Sequence, residues 1–99
     1  MEEQKETISL GGNITLNGFQ NIEGGKMIVL KKIIGNHTKQ IQEKKSDYEK
    51  LSITLEGDEN NQKIKVELTA GGSQTTAEDT QNNIFVALDN AFKKILEQL

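Results

Sequence analysis

The sequence predicts a single small α+β domain in which two helices pack on one face of a four-stranded sheet. Its 99 residues suit one compact domain. Several short segments alternate apolar and polar residues, which is typical of half-buried strands. Two longer segments repeat apolar residues every three or four positions, which is typical of amphipathic helices. The predicted order is β-α-β-β-β-α, with a single domain over residues 13–99.

Residues 1–12 are predicted to form a polar, acidic tail. Residues 7–10 leave two alternatives open, a short edge strand or a continuation of the tail. The Gly-Gly-Asn sequence at 11–13 indicates a turn. Residues 14–19 (ITLNGF) then alternate apolar and polar side chains, so we predict the first strand of the main sheet there.

From residue 26 to about residue 45 the pattern becomes helical, after a Gly24-Gly25 pair that ends the connection. Gly35 and Asn36 are a weak point, since glycine costs a helix interior about 1 kcal/mol relative to alanine. We interpret them as a kink, or as a place where the helix passes close to another backbone. The expected apolar face consists of Met27, Leu30, Ile34, His37 or Thr38, and Ile41.

The second and third strands are predicted at residues 51–56 and 63–69, where apolar and polar residues alternate. Residues 57–61 (GDENN) read as the hairpin loop between them. A tight turn at Gly71-Gly72 leads to a Thr-rich edge strand at residues 73–77.

Asp79 or Thr80 is expected to cap the final helix, because both side chains can accept a backbone N–H. This helix has the clearest apolar stripe in the chain. It consists of Ile84, Leu88, Ala91, Phe92, Ile95 and Leu99, flanked by Phe85 and Leu96.

The helical connection between the first two strands predicts a right-handed crossover that makes them parallel. The later strands should pair antiparallel. Each strand has one apolar face, so both helices should cover the same side of the sheet. The other side is predicted to be polar, with Thr15, Asn17, Ser52, Thr54, Glu56, Lys63, Lys65, Glu67 and Thr69.

Composition narrows the classes of function. The chain has no cysteine, which excludes disulfides and thiolate metal sites. The N-terminal residues lack the basic start and apolar run of a signal peptide, and the longest apolar run is residues 27–30. We therefore expect a soluble, cytoplasmic protein that does not associate with a membrane.

Few residues could support catalysis. His37 is the only histidine and has no acid one turn away along its helix. The Glu2-Glu3 and Asp58-Glu59 pairs lie in a tail and a loop, and the glycine pairs do not match a phosphate-binding fingerprint. We predict a protein that is not an enzyme and has no cofactor, metal or small-molecule substrate.

Positive charge is concentrated in one segment, although the formal net charge of the chain is −3. Residues 26–45 contain six lysines and a single glutamate, and all twelve basic residues of the chain are lysine. Lys31, Lys32 and Lys39 should lie away from the apolar stripe, where they could contact phosphates. A merely solvated helix face is the alternative. Lys39 with Glu43, and Lys93 with Glu97, are spaced for local ion pairs.

Over residues 13–99 the chain resembles the family of ribosome hibernation promoting factors and ribosome-associated inhibitor A. The final helix, with Asp89 and Lys94 at matching positions, has the strongest similarity. The other matching segments are Gly71-Gly72, Thr76-Ala77-Glu78, Leu30-Lys31 and Tyr48-Glu49-Lys50-Leu51. The family fold has the same β-α-β-β-β-α order.

The resemblance implies a short-form hibernation factor, connected with the stress response, that inhibits translation by binding rRNA in the decoding region of the small ribosomal subunit. By position it assigns rRNA binding to Lys31 and Lys94. Helix face and charge add Lys32, Lys39, Lys44, Lys45 and Lys93. The chain departs from the family at His37 and Glu97, where basic residues are usual. A monomer is expected when the protein is free.

Two other functions are compatible with the same pattern. One is a protein-interaction module that kept the fold and lost rRNA binding, in line with the acidic total charge and the missing arginine. The other is a double-stranded-RNA-binding domain, which would need a lysine cluster where this chain has Thr80, Gln81, Asn82 and Asn83. An exposed sheet that stacks bases is disfavoured, since no aromatic residue is expected on the polar face.

Overall fold

A computed structural model describes residues 7–11, 13–58 and 60–99. It has an α+β architecture with two helices and one five-stranded mixed sheet. The strands lie side by side in the order in which they occur along the chain. The elements are β1 (Thr7–Gly11), β2 (Ile14–Asn17), α1 (Gly24–Lys44), β3 (Tyr48–Asp58), β4 (Asn61–Ala70), β5 (Ser73–Gln81) and α2 (Ile84–Glu97).

The sheet has one strand more than predicted. β1 pairs antiparallel with β2, so the edge-strand alternative for this segment is the one observed. Its partly buried Ile8 and Leu10 pack against the core, which explains why so short a segment is held in the sheet. The rest of the predicted tail, residues 1–6 and Gly12, lies outside the described residues.

The predicted strand directions are confirmed. β2 and β3 are parallel, and β3, β4 and β5 pair antiparallel in sequence. Leu16, Ile53, Val66 and Ala77 are aligned across four adjacent strands. Because side chains alternate between the two faces of a strand, this register brings the apolar positions of all four strands to one face.

Both helices bury their apolar stripes in one core with this sheet face. In α1, Thr38 rather than His37 takes the core position. Leu99, predicted to extend the stripe of α2, lies beyond the end of that helix and is half-buried. The buried helical residues are Leu30, Ile34, Thr38 and Ile41 of α1 and Ile84, Ala87, Leu88, Ala91, Phe92 and Ile95 of α2.

α1 begins earlier than predicted and is continuous. Gly24 and Gly25 form its first turn instead of the preceding connection, and the helix passes unbroken through Gly35. A Cβ atom added at Gly35 would meet nothing within 4 Å. The predicted close approach to another backbone at Gly35 is therefore wrong.

The predicted cap of α2 is also wrong. Asp79 and Thr80 lie in β5, which continues to Gln81 because it stays paired with β4. The cap is Asn83, whose side chain accepts hydrogen bonds from the backbone N–H groups of Phe85 (2.8 Å) and Val86 (3.2 Å).

The hairpin between β4 and β5 requires its two glycines. Gly71 and Gly72 have φ angles of 58° and 80°, in the left-handed region that glycine adopts far more readily than most other residues. A side chain at Gly71 would also collide with the carboxylate of Asp47. The other hairpin is tighter than predicted, since β3 extends to Asp58 and β4 starts at Asn61.

Candidate nucleic-acid interface

The lysines of α1 form an exposed, unpaired set. Lys31, Lys32, Lys39 and Lys44 are exposed, while Lys45, just past the end of the helix, is half-buried. None of them forms an ion pair with an acid in the part of the chain that the structure describes. The ion pair between Lys39 and Glu43, which their spacing suggested, is therefore absent as well.

Helix geometry places the charges on the outer side of α1. Lys32 and Lys39 are seven residues apart and therefore project in nearly the same direction. This direction is opposite to the buried line of Leu30, Ile34 and Ile41. Ile28 lies on the same outer side and is 62% exposed. We call this surface, made of Ile28, Lys31, Lys32, Gly35 and Lys39, the outer face of α1.

The two lysines of β4 are paired with neighbouring acids, whereas Lys50 of β3 is exposed and has no ion pair among the described residues. Lys63 Nζ lies 3.3 Å from Glu78 Oε1, and Lys65 Nζ lies 3.6 Å from Glu67 Oε2. These are surface pairs that contribute little stability. They cancel the charges of Lys63 and Lys65 locally.

Lys93 of α2 is paired with an acid other than the predicted one. Its Nζ atom lies 3.1 Å from Oδ2 of Asp89, one turn earlier in the helix. The predicted contact with Glu97 is therefore wrong. The side chain of Lys93 remains 63% exposed.

Lys94 belongs to a polar cluster between α2 and β5. Its Nζ atom donates to the backbone carbonyl of Glu78 (2.9 Å) and to Oδ1 of Asp79 (3.0 Å). Oδ2 of Asp79 accepts from Gln81 (2.8 Å) and Asn90 (3.1 Å). Burial opposes ionisation of Asp79, but these three hydrogen-bond donors outweigh it and lower the pKa of this carboxyl.

His37 connects the two helices. Its Nε2 atom lies 2.8 Å from Oδ1 of Asp89, and its ring stacks on Phe92 with centroids 4.9 Å apart. The hydrogen bond from His37, followed by the one from Lys93, lowers the pKa of Asp89. Nδ1 of His37 is buried and has no hydrogen-bond partner among the described residues. Because a carboxylate oxygen accepts, Nε2 is the ring nitrogen that donates in the contact with Asp89.

Sequence reasoning missed this junction because the acid comes from the other helix. His37 and Asp89 are 52 positions apart, so spacing within α1 could not reveal the pair. Asp89 itself stood out only as a position that matches the hibernation-factor family. The two side chains lie between the helices, with His37 13% and Asp89 38% exposed.

The polar face of the sheet carries a shallow concavity of about 680 Å³, with Thr15, Ser52 and Thr69 among its lining residues. The four aromatic side chains, Phe19, Tyr48, Phe85 and Phe92, all belong to or pack against the core. The concavity therefore lacks the stacking platform that single-stranded nucleic acids use on sheet surfaces.

Within residues 7–11, 13–58 and 60–99, no group of three or more acidic or histidine side chains is placed to hold a metal ion. Neither α1 nor α2 combines the length and apolar character that crossing a bilayer requires.

Comparison with protein-family models and with curated proteins gives no match to this chain.

Proposed function

We propose that this protein is a cytoplasmic ribosome hibernation factor. In this proposal it binds rRNA in the decoding region of the small ribosomal subunit, blocks translation there and performs no catalysis. One observation supports this most directly: the lysines of α1 are exposed and pair with none of the acids that the structure describes, whereas every lysine of β4 and α2 is paired with an acid.

Unpaired lysines on a rigid helix suit the recognition of phosphates by charge. Each contact releases condensed counterions from the RNA, which makes binding favourable at low salt. Lysine contacts phosphate as a point charge, without the two-pronged geometry of arginine. The proposed site is thus centred on Lys31, Lys32 and Lys39, with Lys44 and Lys45 at the end of the helix.

Lys93 and Lys94 are proposed as a second, weaker group of contacts. Each keeps a solvent-exposed side chain, but each is also paired with an aspartate. An approaching phosphate would have to compete with Asp89 for Lys93 and with Asp79 for Lys94. We therefore expect α1 to supply most of the attraction for RNA.

Sedimentation tests the proposal. Purified ribosomes are mixed with the protein and separated on a sucrose gradient at low and moderate salt. We expect the protein to travel with small subunits and whole ribosomes at about 50 mM monovalent salt and to be largely released at about 200 mM. Protein that stays at the top of the gradient at both salt concentrations would contradict the proposal.

A protein-interaction module that has lost RNA binding is the second candidate. The exposed apolar side chains of Ile28 and Val29 on α1 and of Val86 on α2 are the surface that such a partner would cover. This candidate predicts no cosedimentation with ribosomes and a specific protein in pull-down experiments. Recovery of ribosomal particles alone would contradict it.

A further inference from the structure

Gly35 has no structural reason to be glycine within this chain. It lies in the middle of α1, is exposed, and has no left-handed backbone angle that would favour glycine. A Cβ atom there would meet nothing within 4 Å. Alanine would therefore fit without strain and would make a more stable helix.

The surroundings of Gly35 are the most basic part of the helix. Lys31 and Lys32 lie one turn before it and Lys39 one turn after it, so all three lysines border the same surface. On one side the missing side chain opens onto a groove of about 370 Å³ between α1 and the edge of the sheet, lined in part by Ser9 and Leu10 of β1. Gly35 is thus a depression in the outer face of α1, bordered by cations.

We propose that Gly35 is the point at which the ribose-phosphate backbone of RNA comes closest to α1. Phosphates on either side of this point contact Lys31 and Lys32 before the depression and Lys39 after it. The absence of a side chain lets the RNA lie against the helix backbone, which shortens all three lysine contacts. This inference rests on the proposed rRNA binding and specifies where the RNA lies.

An RNA backbone fits the depression better than a protein surface does. The three bordering side chains are all cationic and are unpaired with any described acid. A chain of phosphates supplies a regular row of negative charges along a narrow ridge, which such a border complements. Gly35 therefore determines how closely the RNA can approach, while the lysines supply the attraction.

Variants at Gly35 separate these two roles. Gly35→Ala and Gly35→Leu add small and large side chains without changing the charge. Gln40→Leu, at an exposed position on a different side of the same helix, is the matched control for added apolar bulk. Each protein is tested for urea unfolding, retention on heparin and binding to purified small ribosomal subunits.

We expect Gly35→Ala to raise the urea midpoint, to keep the heparin retention of the wild type and to weaken subunit binding roughly tenfold. Gly35→Leu should weaken subunit binding further, and Gln40→Leu should leave it unchanged. Gly35→Ala would then be more stable than the wild type and equally basic, but it would bind small subunits more weakly.

Two results would overturn the inference. One is wild-type affinity of both Gly35 variants for small subunits. The other is a urea midpoint of Gly35→Ala at or below that of the wild type, since glycine would then serve the fold itself. Failure of the proposed function is recognised separately, because in that case the unaltered protein would not bind small subunits at all.

Discussion

His37 Nε2 and Asp89 Oδ1 lie 2.8 Å apart and join the middle of α1 to the first half of α2. The hydrogen bond is reinforced by the stacking of the His37 ring on Phe92. Asp89 is shared with Lys93, which lies 3.1 Å from its other oxygen. The pair is thus a polar contact between α2 and the helix that carries the basic residues.

A double-mutant cycle on His37 and Asp89 should reveal coupling between the two helices. We expect His37→Gln and Asp89→Asn each to lower the free energy of unfolding, and the coupling energy to be about 1 kcal/mol, since Asp89 is partly screened by solvent. Urea unfolding followed by circular dichroism measures it. Strictly additive effects of the two substitutions would show that the contact contributes nothing to stability.

Asn83 is predicted to stabilise the start of α2. Its side chain accepts two backbone hydrogen bonds, so Asn83→Ala should cost about 1 kcal/mol. The neighbouring exposed Asn82 supplies the control, and Asn82→Ala should change stability by a few tenths of a kcal/mol at most. Thermal and urea unfolding compare the two variants, and equal losses would argue against the cap.

Asp79 should make the fold sensitive to acid. Its pKa is lowered in the folded state, so its contribution to stability is present above the unfolded value of about 3.8 and is lost as pH falls through the lower, folded value. Asp79→Asn should therefore reduce stability at neutral pH by about 1 kcal/mol and flatten the loss of stability below about pH 4.

Urea unfolding at several pH values between neutral and strongly acidic solution checks this expectation. Glu97→Gln is the control, because Glu97 is exposed and forms no ion pair among the described residues. The control should keep the wild-type dependence on pH. An Asp79→Asn protein whose stability falls as steeply as that of the wild type in acid would refute the role given to this carboxylate.

Charge reversal on the outer face of α1 should abolish ribosome binding. Lys31→Glu combined with Lys32→Glu replaces attraction for phosphate by repulsion, while both positions are exposed and should tolerate the change. Sucrose-gradient sedimentation at low salt measures the loss.

Lys63→Glu combined with Lys65→Glu is the matched control for this experiment. It changes the net charge by the same amount but acts on the polar face of the sheet, where both lysines are paired with acids. We expect the control protein to sediment with ribosomes as the wild type does. Normal sedimentation of the Lys31 and Lys32 variant would remove α1 from the proposed interface.

Local pattern sufficed for most of the fold. Alternation at residues 51–56 and 63–69 and the helical spacing from Leu30 to Ile41 identified two strands and a helix correctly. Local pattern could not show whether residues 7–10 form a strand or a tail. The five-residue strand β1 gains its stability from pairing with β2 and from the packing of Ile8 and Leu10.

For the candidate site, exposure was easier to predict than pairing. The helical period places Lys31, Lys32 and Lys39 outside the core, and the structure agrees. The partners of Lys93 and Lys94 were not predictable in the same way. Asp79 reaches Lys94 only because β5 runs beside α2, and Asp89 competes with Glu97 for Lys93 at equal spacing along the helix.

The sequence by itself determined that this protein has one core, two amphipathic helices and a segment rich in positive charge, because periodicity and net charge are properties of neighbouring residues. Only the tertiary structure decided that His37 meets Asp89, that Lys94 is held by Asp79, and that Gly35 faces open space. Such contacts depend on how segments that are far apart in the sequence pack together, and the local sequence pattern does not specify that packing.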